Sequence, residues 1–192
     1  MVVSLAAMAV ERVYPLIIGW TASAAAVTAF AIVLKVVQLA NFTQAFAAFY
    51  YSPQLALAAK GALAPTTQQL TLRMRLFGLV SALPAAGVCL GGPGLVEAVF
   101  GAGLDLRILL YFAVIAILAN ALGSPAQNLL IMAGREQVVA VSYGAGSLVS
   151  FVAFLSVGGD SALAGTAALA AATFTWSVWQ SVAARRIFGD WH

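Results

Sequence analysis

Charged residues are scarce in this sequence. Only 8% of its 192 residues are Asp, Glu, Lys or Arg, and 63% are hydrophobic, whereas an ordinary soluble domain has roughly 25% charged residues. Because so few polar side chains cannot cover a water-facing surface, the composition excludes a soluble globular protein. We therefore predict an all-α, polytopic membrane protein.

Cysteine and histidine are almost absent, with one residue of each, Cys89 and His192. A lone cysteine inside an apolar run forms neither an intrachain disulfide nor a metal site, so we expect Cys89 to pack as a small hydrophobe. An intramembrane serine protease needs a serine and a histidine within the membrane, and a zinc protease needs several ligands. His192 lies at the tail, so we expect no enzyme, no catalytic residue, no metal and no cofactor.

The net charge of +3 does not indicate a nucleic-acid partner. The basic residues are scattered between apolar runs and form no patch with interleaved aromatic side chains. The first residues also lack the basic region and cleavage site of a signal peptide, and Glu11 and Arg12 interrupt their apolar run. We expect this segment to belong to the mature protein.

Six apolar runs are long enough to cross a membrane, at about 20 residues per span. They lie at residues 2–20, 24–51, 76–96, 108–132, 138–157 and 163–182. Between the second and third, the polar stretch from Lys60 to Arg75 is predicted to lie along the membrane surface. Spans five and six are rich in Ala, Gly and Ser, which predicts close helix packing. The sequence thus predicts a single six-helix bundle over residues 1–192.

The loops differ in their basic residues. One side of the predicted membrane carries Lys60, Arg73, Arg75, Arg135, Arg185 and Arg186, and the opposite side carries only Arg107. Because Lys and Arg are retained in cytoplasmic loops, both termini are predicted to be cytoplasmic.

Three charged residues, Glu11, Arg12 and Lys35, lie well inside the apolar runs, where an unpaired charge would cost a few kcal/mol. Glu11 and Lys35 fall about 15 Å below the same surface on adjacent antiparallel helices, so they are candidates for an ion pair. Arg12 would then face a cavity, and Gln38, Asn41 and Gln44 continue a polar spiral along the second span. Alternatively, the first span begins near Val13, leaving Glu11 and Arg12 at the interface and Lys35 extended toward the surface.

Aromatic side chains crowd the second half of span two: Phe42, Phe46, Phe49, Tyr50 and Tyr51. They could form an apolar or sugar-stacking wall. Ordinary packing together with an interfacial aromatic belt explains them more simply.

Three segments in order resemble the carboxy-terminal half of bacterial lipid-linked oligosaccharide flippases, within the superfamily of multidrug and polysaccharide exporters. Residues 29–56, AFAIVLKVVQLANFTQAFAAFYYSPQLA, look like a helix that ends at a proline, here Pro53. Residues 99–105, VFGAGLD, are similar to a short loop, and residues 119–136, ANALGSPAQNLLIMAGRE, resemble the following helix. The chain departs from the family in size, because members have two bundles and this chain supplies one, and Lys60 to Gln69 lacks an acidic residue often found there.

The resemblance implies a function in cell-surface polysaccharide synthesis at the bacterial inner membrane. The implied substrate is an undecaprenyl-pyrophosphate-linked sugar, with Arg12 and Lys35 as candidates to meet the pyrophosphate and Glu11 as the coupling candidate. The implied partners are membrane lipid and a second bundle, either another copy or an upstream half. A drug or cation antiporter of the same superfamily and a non-transporting accessory membrane subunit are the alternatives.

Overall fold

The computed structural model describes residues 13–20, 22–59, 67–91, 94, 98, 106–158 and 161–188. Residues 13–20 are helical and are labelled α1. The long helices are α2 (Ala24–Ala59), α3 (Thr67–Gly91), α4 (Arg107–Met132), α5 (Glu136–Ser156) and α6 (Ala162–Phe188). All five are long and apolar enough to cross a membrane. The prediction of an all-α, polytopic membrane protein is confirmed.

Two expectations about helix ends differ from the structure. Helix α2 does not end at Pro53, as the resemblance implied, because it continues through that proline to Ala59, eight residues past the end of the predicted second span. At 1.5 Å per residue its 36 residues extend roughly 54 Å, well beyond the roughly 30 Å hydrocarbon core. The backbone groups that Pro53 leaves unpaired can therefore reach water or neighbouring polar groups.

The predicted surface segment from Lys60 to Arg75 is the second correction. Helix α3 begins at Thr67, so the polar residues before Leu76 form its first turns. Leu70 and Met74 are fully buried against Leu55 and Leu129. Burial of these two side chains draws the segment into the bundle, which a hydropathy pattern dominated by Gln and Arg does not reveal.

Helices α4 and α6 form the centre of the bundle. Helix α4 packs against α2, α3 and α6, and α6 also packs against α5. Helix α1 is held to α5 by a hydrogen bond between the Tyr14 and Ser150 hydroxyls and by stacking of Tyr14 on Phe154 at 4.8 Å. Cys89 is buried in the same core, as predicted.

Small residues let the central helices approach closely. A Cβ added at Gly123 of α4 would lie 2.4 Å from Ser177 Oγ of α6, and one added at Gly146 of α5 would lie 3.1 Å from the Ala172 carbonyl oxygen. Nearly all residues of α6 from Ala162 to Thr173 are buried. The close packing predicted for spans five and six is observed, and it extends to α4.

The short connection between α4 and α5 is fixed by a glycine. Gly134 has a φ of 73°, a left-handed conformation that glycine adopts without steric penalty. Its amide donates to the Ile131 carbonyl at 3.0 Å and the Arg135 amide donates to the Leu130 carbonyl at 2.8 Å, which is a Schellman ending. The turn places Arg135 and the start of α5 beside the end of α4.

Arginines cluster at one end of the bundle. The small core of Leu55, Leu70, Met74 and Leu129 brings the end of α2, the start of α3 and the end of α4 together, and Phe188 from the end of α6 packs on it. Arg73, Arg75, Arg135, Arg185 and Arg186 belong to these ends of the helices or to the turn beside them. We refer to this as the arginine-rich end.

Candidate functional site

Lys35 and Gln38 lie on the outer face of α2. Both are exposed, and the Lys35 ammonium donates to Gln38 Oε1 at 3.3 Å. Lys35 is eleven residues past the start of α2, about 16 Å along the helix axis. The hydrogen bond directs the ammonium one turn further along α2, away from the nearer helix end. Two predicted site residues are therefore adjacent, about 16 Å from the start of α2, on a surface that the described residues leave exposed.

Asn41 is turned from that face toward α4. Its side-chain oxygen accepts a hydrogen bond of 2.7 Å from Asn120 Nδ2, and both side chains are half-buried. The predicted polar spiral thus divides, because Lys35 and Gln38 face outward while Asn41 joins two helices. Gln44 is buried, at 4% exposure, and its amide atoms have no hydrogen-bond partner among the described residues.

The aromatic side chains of α2 share the outer face with Lys35. Phe42 and Phe46 meet edge to face at 5.0 Å, and Phe49 is 84% exposed. Tyr50 is exposed as well. Packing among the described residues does not account for these exposed rings, which fits an aromatic belt in lipid or a wall against another part of the protein or another molecule.

Glu11 and Arg12 lie outside the described residues. The predicted pair between Glu11 and Lys35 and the predicted cavity role of Arg12 therefore stay predictions.

A buried polar seam that we did not predict runs between α5 and α6. Gln180, at 1% exposure, donates from Nε2 to Ser142 Oγ at 2.8 Å, and the Ser142 hydroxyl donates to the Val139 carbonyl at 2.7 Å. Tyr143 beside it lies 4.7 Å from the Trp176 ring and donates to Gln127. The signal in the sequence is the spacing of Thr173, Ser177 and Gln180, which repeats at three and four residues on one face of α6.

Asn120 was also missed as a partner for Asn41. It stands alone in an apolar stretch of α4, and a polar residue inside a membrane helix usually finds a partner on another helix. That rule predicts an interhelical contact but does not identify which helix supplies it.

The described residues contain no group of three or more His, Cys, Asp or Glu side chains that could hold a metal ion. Comparisons with protein-family models, curated proteins and solved structures give no significant match for this chain. The geometry of α2 and the motifs in the sequence are therefore the basis for a functional proposal.

Proposed function

We propose that this chain is one bundle of an exporter that moves lipid-linked oligosaccharides across the bacterial inner membrane for cell-surface polysaccharide synthesis. The observation that carries the proposal is the outer face of α2, where an exposed lysine, about 16 Å from the start of the helix, lies with an exposed glutamine beside exposed aromatic rings. A lysine at the centre of a lipid-exposed helix costs about 2.5–3.5 kcal/mol on insertion scales. The face is thus better suited to a water-filled cavity than to lipid.

A cavity at this face requires a second wall. Transporters of the resembled kind place their substrate between two bundles that rock about it. A second copy of this chain or an upstream half would supply that wall opposite α2. This arrangement would also remove the aromatic side chains of α2 from lipid.

The chemistry of the face suits an anionic sugar lipid. The Lys35 ammonium, oriented by Gln38, would meet the pyrophosphate of an undecaprenyl-linked substrate. Phe42, Phe46 and Phe49 offer apolar ring faces to sugar rings or to the polyprenyl chain. Asn41, held by Asn120, would position α2 against α4 and is less available to substrate than we expected.

The proposed orientation places both termini in the cytoplasm, with the arginine-rich end facing inward. Arg107 is the described basic residue at the opposite ends of the helices, as retention of basic residues inside would require. Single cysteines at Gln69 and Ser161, in a Cys89→Ala background, should label from opposite sides of the membrane. Labelling of both by an impermeant reagent in intact cells would contradict this topology.

Transport is tested with purified protein in vesicles that contain a fluorescent lipid-linked sugar. We expect flipping only when a second bundle is present, and we expect Lys35→Met to reduce the rate at least tenfold while Lys35→Arg keeps most of it. Arg107→Gln, which removes a cation outside this face, is the matched control. A homogeneous monomer that flips the substrate, or full transport by Lys35→Met, would refute the proposal.

A further inference from the structure

A cleft between α3, α4 and α6 opens on the outside of the bundle. Its volume is about 340 Å³. It is lined by one arginine from α3, small and apolar residues of α4, and a long stripe of α6: Arg75, Ala119, Leu122, Gly123, Phe174, Ser177, Val178, Ser181, Val182 and Arg185. We call it the arginine cleft. It contains none of the residues of the α2 face.

The α6 wall of this cleft has the length and polarity of one membrane leaflet. Phe174, Val178, Ser181 and Arg185 recur every three or four residues, so they form one stripe along the helix. Eleven residues separate Phe174 from Arg185, about 16 Å, which is close to half of the roughly 30 Å hydrocarbon core. The stripe is apolar at its deep end and cationic where α6 reaches the arginine-rich end.

A second groove lies alongside the arginine cleft. Its volume is about 500 Å³, it shares Phe174, Val178 and Val182 with the first, and Arg186 lines it. The three shared side chains therefore form a ridge with an apolar channel on each side. A lipid with two acyl chains could place one chain in each channel and its headgroup beside the arginines.

The polar groups of the cleft match a phosphate headgroup. Arg75 and Arg185 come from different helices and repel each other electrostatically, so an anion placed near both would relieve that repulsion. Ser181 lies one turn deeper than Arg185, at the depth of a lipid ester. Ser177 is more than nine-tenths buried, and its hydroxyl has no hydrogen-bond partner in the part of the chain that the structure describes. The cleft therefore offers two cations to a phosphate and, about 12 Å deeper along α6, a buried hydroxyl beside the acyl chains.

We propose that the arginine cleft binds an anionic phospholipid from the leaflet at the arginine-rich end. The phosphate lies near Arg75 and Arg185, and the acyl chains straddle the ridge of Phe174, Val178 and Val182. Basic pockets between membrane helices bind anionic headgroups through the same chemistry. Binding holds α3 to α6 across α4, and it is independent of any transport at the α2 face.

The test is native mass spectrometry of the full chain released from nanodiscs that contain equal amounts of phosphatidylglycerol and phosphatidylcholine. The wild type should retain phosphatidylglycerol preferentially. Loss of both cations in Arg75→Gln/Arg185→Gln should weaken retention by roughly 30-fold, as expected for two basic residues at a lipid surface. The matched control is Arg73→Gln/Arg135→Gln, which removes the same charge from the same end of the bundle at two exposed arginines outside both grooves.

A filling variant separates the cleft from general electrostatic attraction. Ser181→Phe leaves both arginines in place but projects a large ring from the α6 wall into the cleft, so this variant should also lose phosphatidylglycerol. Thermal unfolding in detergent checks that each variant is folded, and added inorganic phosphate distinguishes a free anion from a lipid. Equal retention of the two lipids by the wild type, equal losses in the two double variants, retention by folded Ser181→Phe, or displacement of the lipid by millimolar phosphate would each overturn the proposal.

Discussion

Polar side chains have opposite environments in two regions of the molecule. They are buried where α6 contacts its neighbours, and they are exposed on the outer face of α2. In the first region, Gln180 and Ser142 are buried and bonded to each other, and glycine allows the backbones of α4 and α6 to approach closely. On α2, Lys35 and Gln38 are exposed on the outer face of the described bundle, with Lys35 about 16 Å from the start of the helix. Both regions belong to membrane-spanning helices, so lipid alone does not explain the difference.

Buried polar residues at the contacts of α6 hold the bundle together, whereas the exposed polar residues of α2 face outward. Membrane helices associate through close packing and interhelical hydrogen bonds because lipid provides little hydrophobic driving force. The α6 region uses both. On the α2 face, by contrast, Lys35, Gln38 and the Phe49 ring are exposed among the described residues, which is why we propose that the face lines a cavity. Four measurements test this division, from the largest expected effect to the smallest.

Gly123→Val should cause the largest loss of stability. The first added carbon would lie 2.4 Å from Ser177 Oγ and 2.7 Å from Ser177 Cα, so α4 and α6 would have to separate. Overpacking of this kind destabilises by about 1–3 kcal/mol or more, and the clash with a backbone atom places this variant at the upper end. The measurement is the midpoint of thermal unfolding in detergent, followed by size-exclusion fluorescence.

Gly144→Val is the matched control, because a Cβ at Gly144 of α5 meets nothing within 4 Å. It carries the same change of residue on another membrane helix. If both variants unfolded at the same temperature, the close approach of α4 and α6 would not be a main source of stability.

Ser142→Ala should give the second largest effect. It leaves the buried Nε2 group of Gln180 without its acceptor, which costs about 1–2 kcal/mol. Gln180→Met should cost less, because it removes the whole polar group, and the Oε1 atom of Gln180 already has no partner among the described residues. A free energy of unfolding that falls more for Gln180→Met than for Ser142→Ala would contradict this account.

The fold was predictable from the sequence where a single physical rule applied. Apolar length and loop composition place the starts of α4, α5 and α6 within two residues of those observed, although α6 runs six residues past its predicted end. The start of α3 was missed, because Leu70 and Met74 owe their position to contacts with α2 and α4. The continuation of α2 through Pro53 was missed because proline usually ends a helix. In a helix longer than the hydrocarbon core is thick, the backbone groups that proline leaves unpaired can reach water, and the helix continues.

The candidate site was predictable only as a set of residues. Lys35 was a candidate because an unpaired charge in lipid is costly. Gln38 and Asn41 were added because they follow it at intervals of one helical turn. Which way each side chain faces depends on neighbours distant in sequence, so Asn41 was assigned to the same polar surface although it bonds to Asn120. The arginine cleft was missed because Arg75 and Arg185 are 110 residues apart in the sequence and only packing on α4 brings them together.

Asn41 and Asn120 should show a smaller but measurable coupling. Their hydrogen bond joins α2 to the central helix α4, and bonds between membrane helices contribute about 0.6 kcal/mol on average. A cycle with Asn41→Ala, Asn120→Ala and the double variant should give a coupling of that size in free energy of unfolding. The pair Gln38→Ala with Asn120→Ala serves as the control and should be additive, since Gln38 is exposed on the outer face. Additivity in the first cycle would show that α2 is not fixed to α4 through this pair.

Glu11 and Lys35 should show the smallest coupling. Lys35 is exposed and contacts Gln38 on its own helix, so an ion pair with Glu11 would be accessible to water in the proposed cavity. Exposed pairs contribute about 0–1 kcal/mol, and many contribute nothing measurable, so we place this coupling below that of Asn41 with Asn120. Removing both charges, with Glu11→Gln and Lys35→Met, should therefore destabilise the bundle by less than the sum of the single changes.

The matched control pairs Lys35→Met with Glu136→Gln, because Glu136 is an exposed acid at the start of α5, and this cycle should be additive. Strict additivity for Glu11 with Lys35 as well would show that the two are not coupled and would leave the lysine without an acidic partner in the first span. On the proposed function, a second bundle or the substrate would then supply the counter-charge at the α2 face.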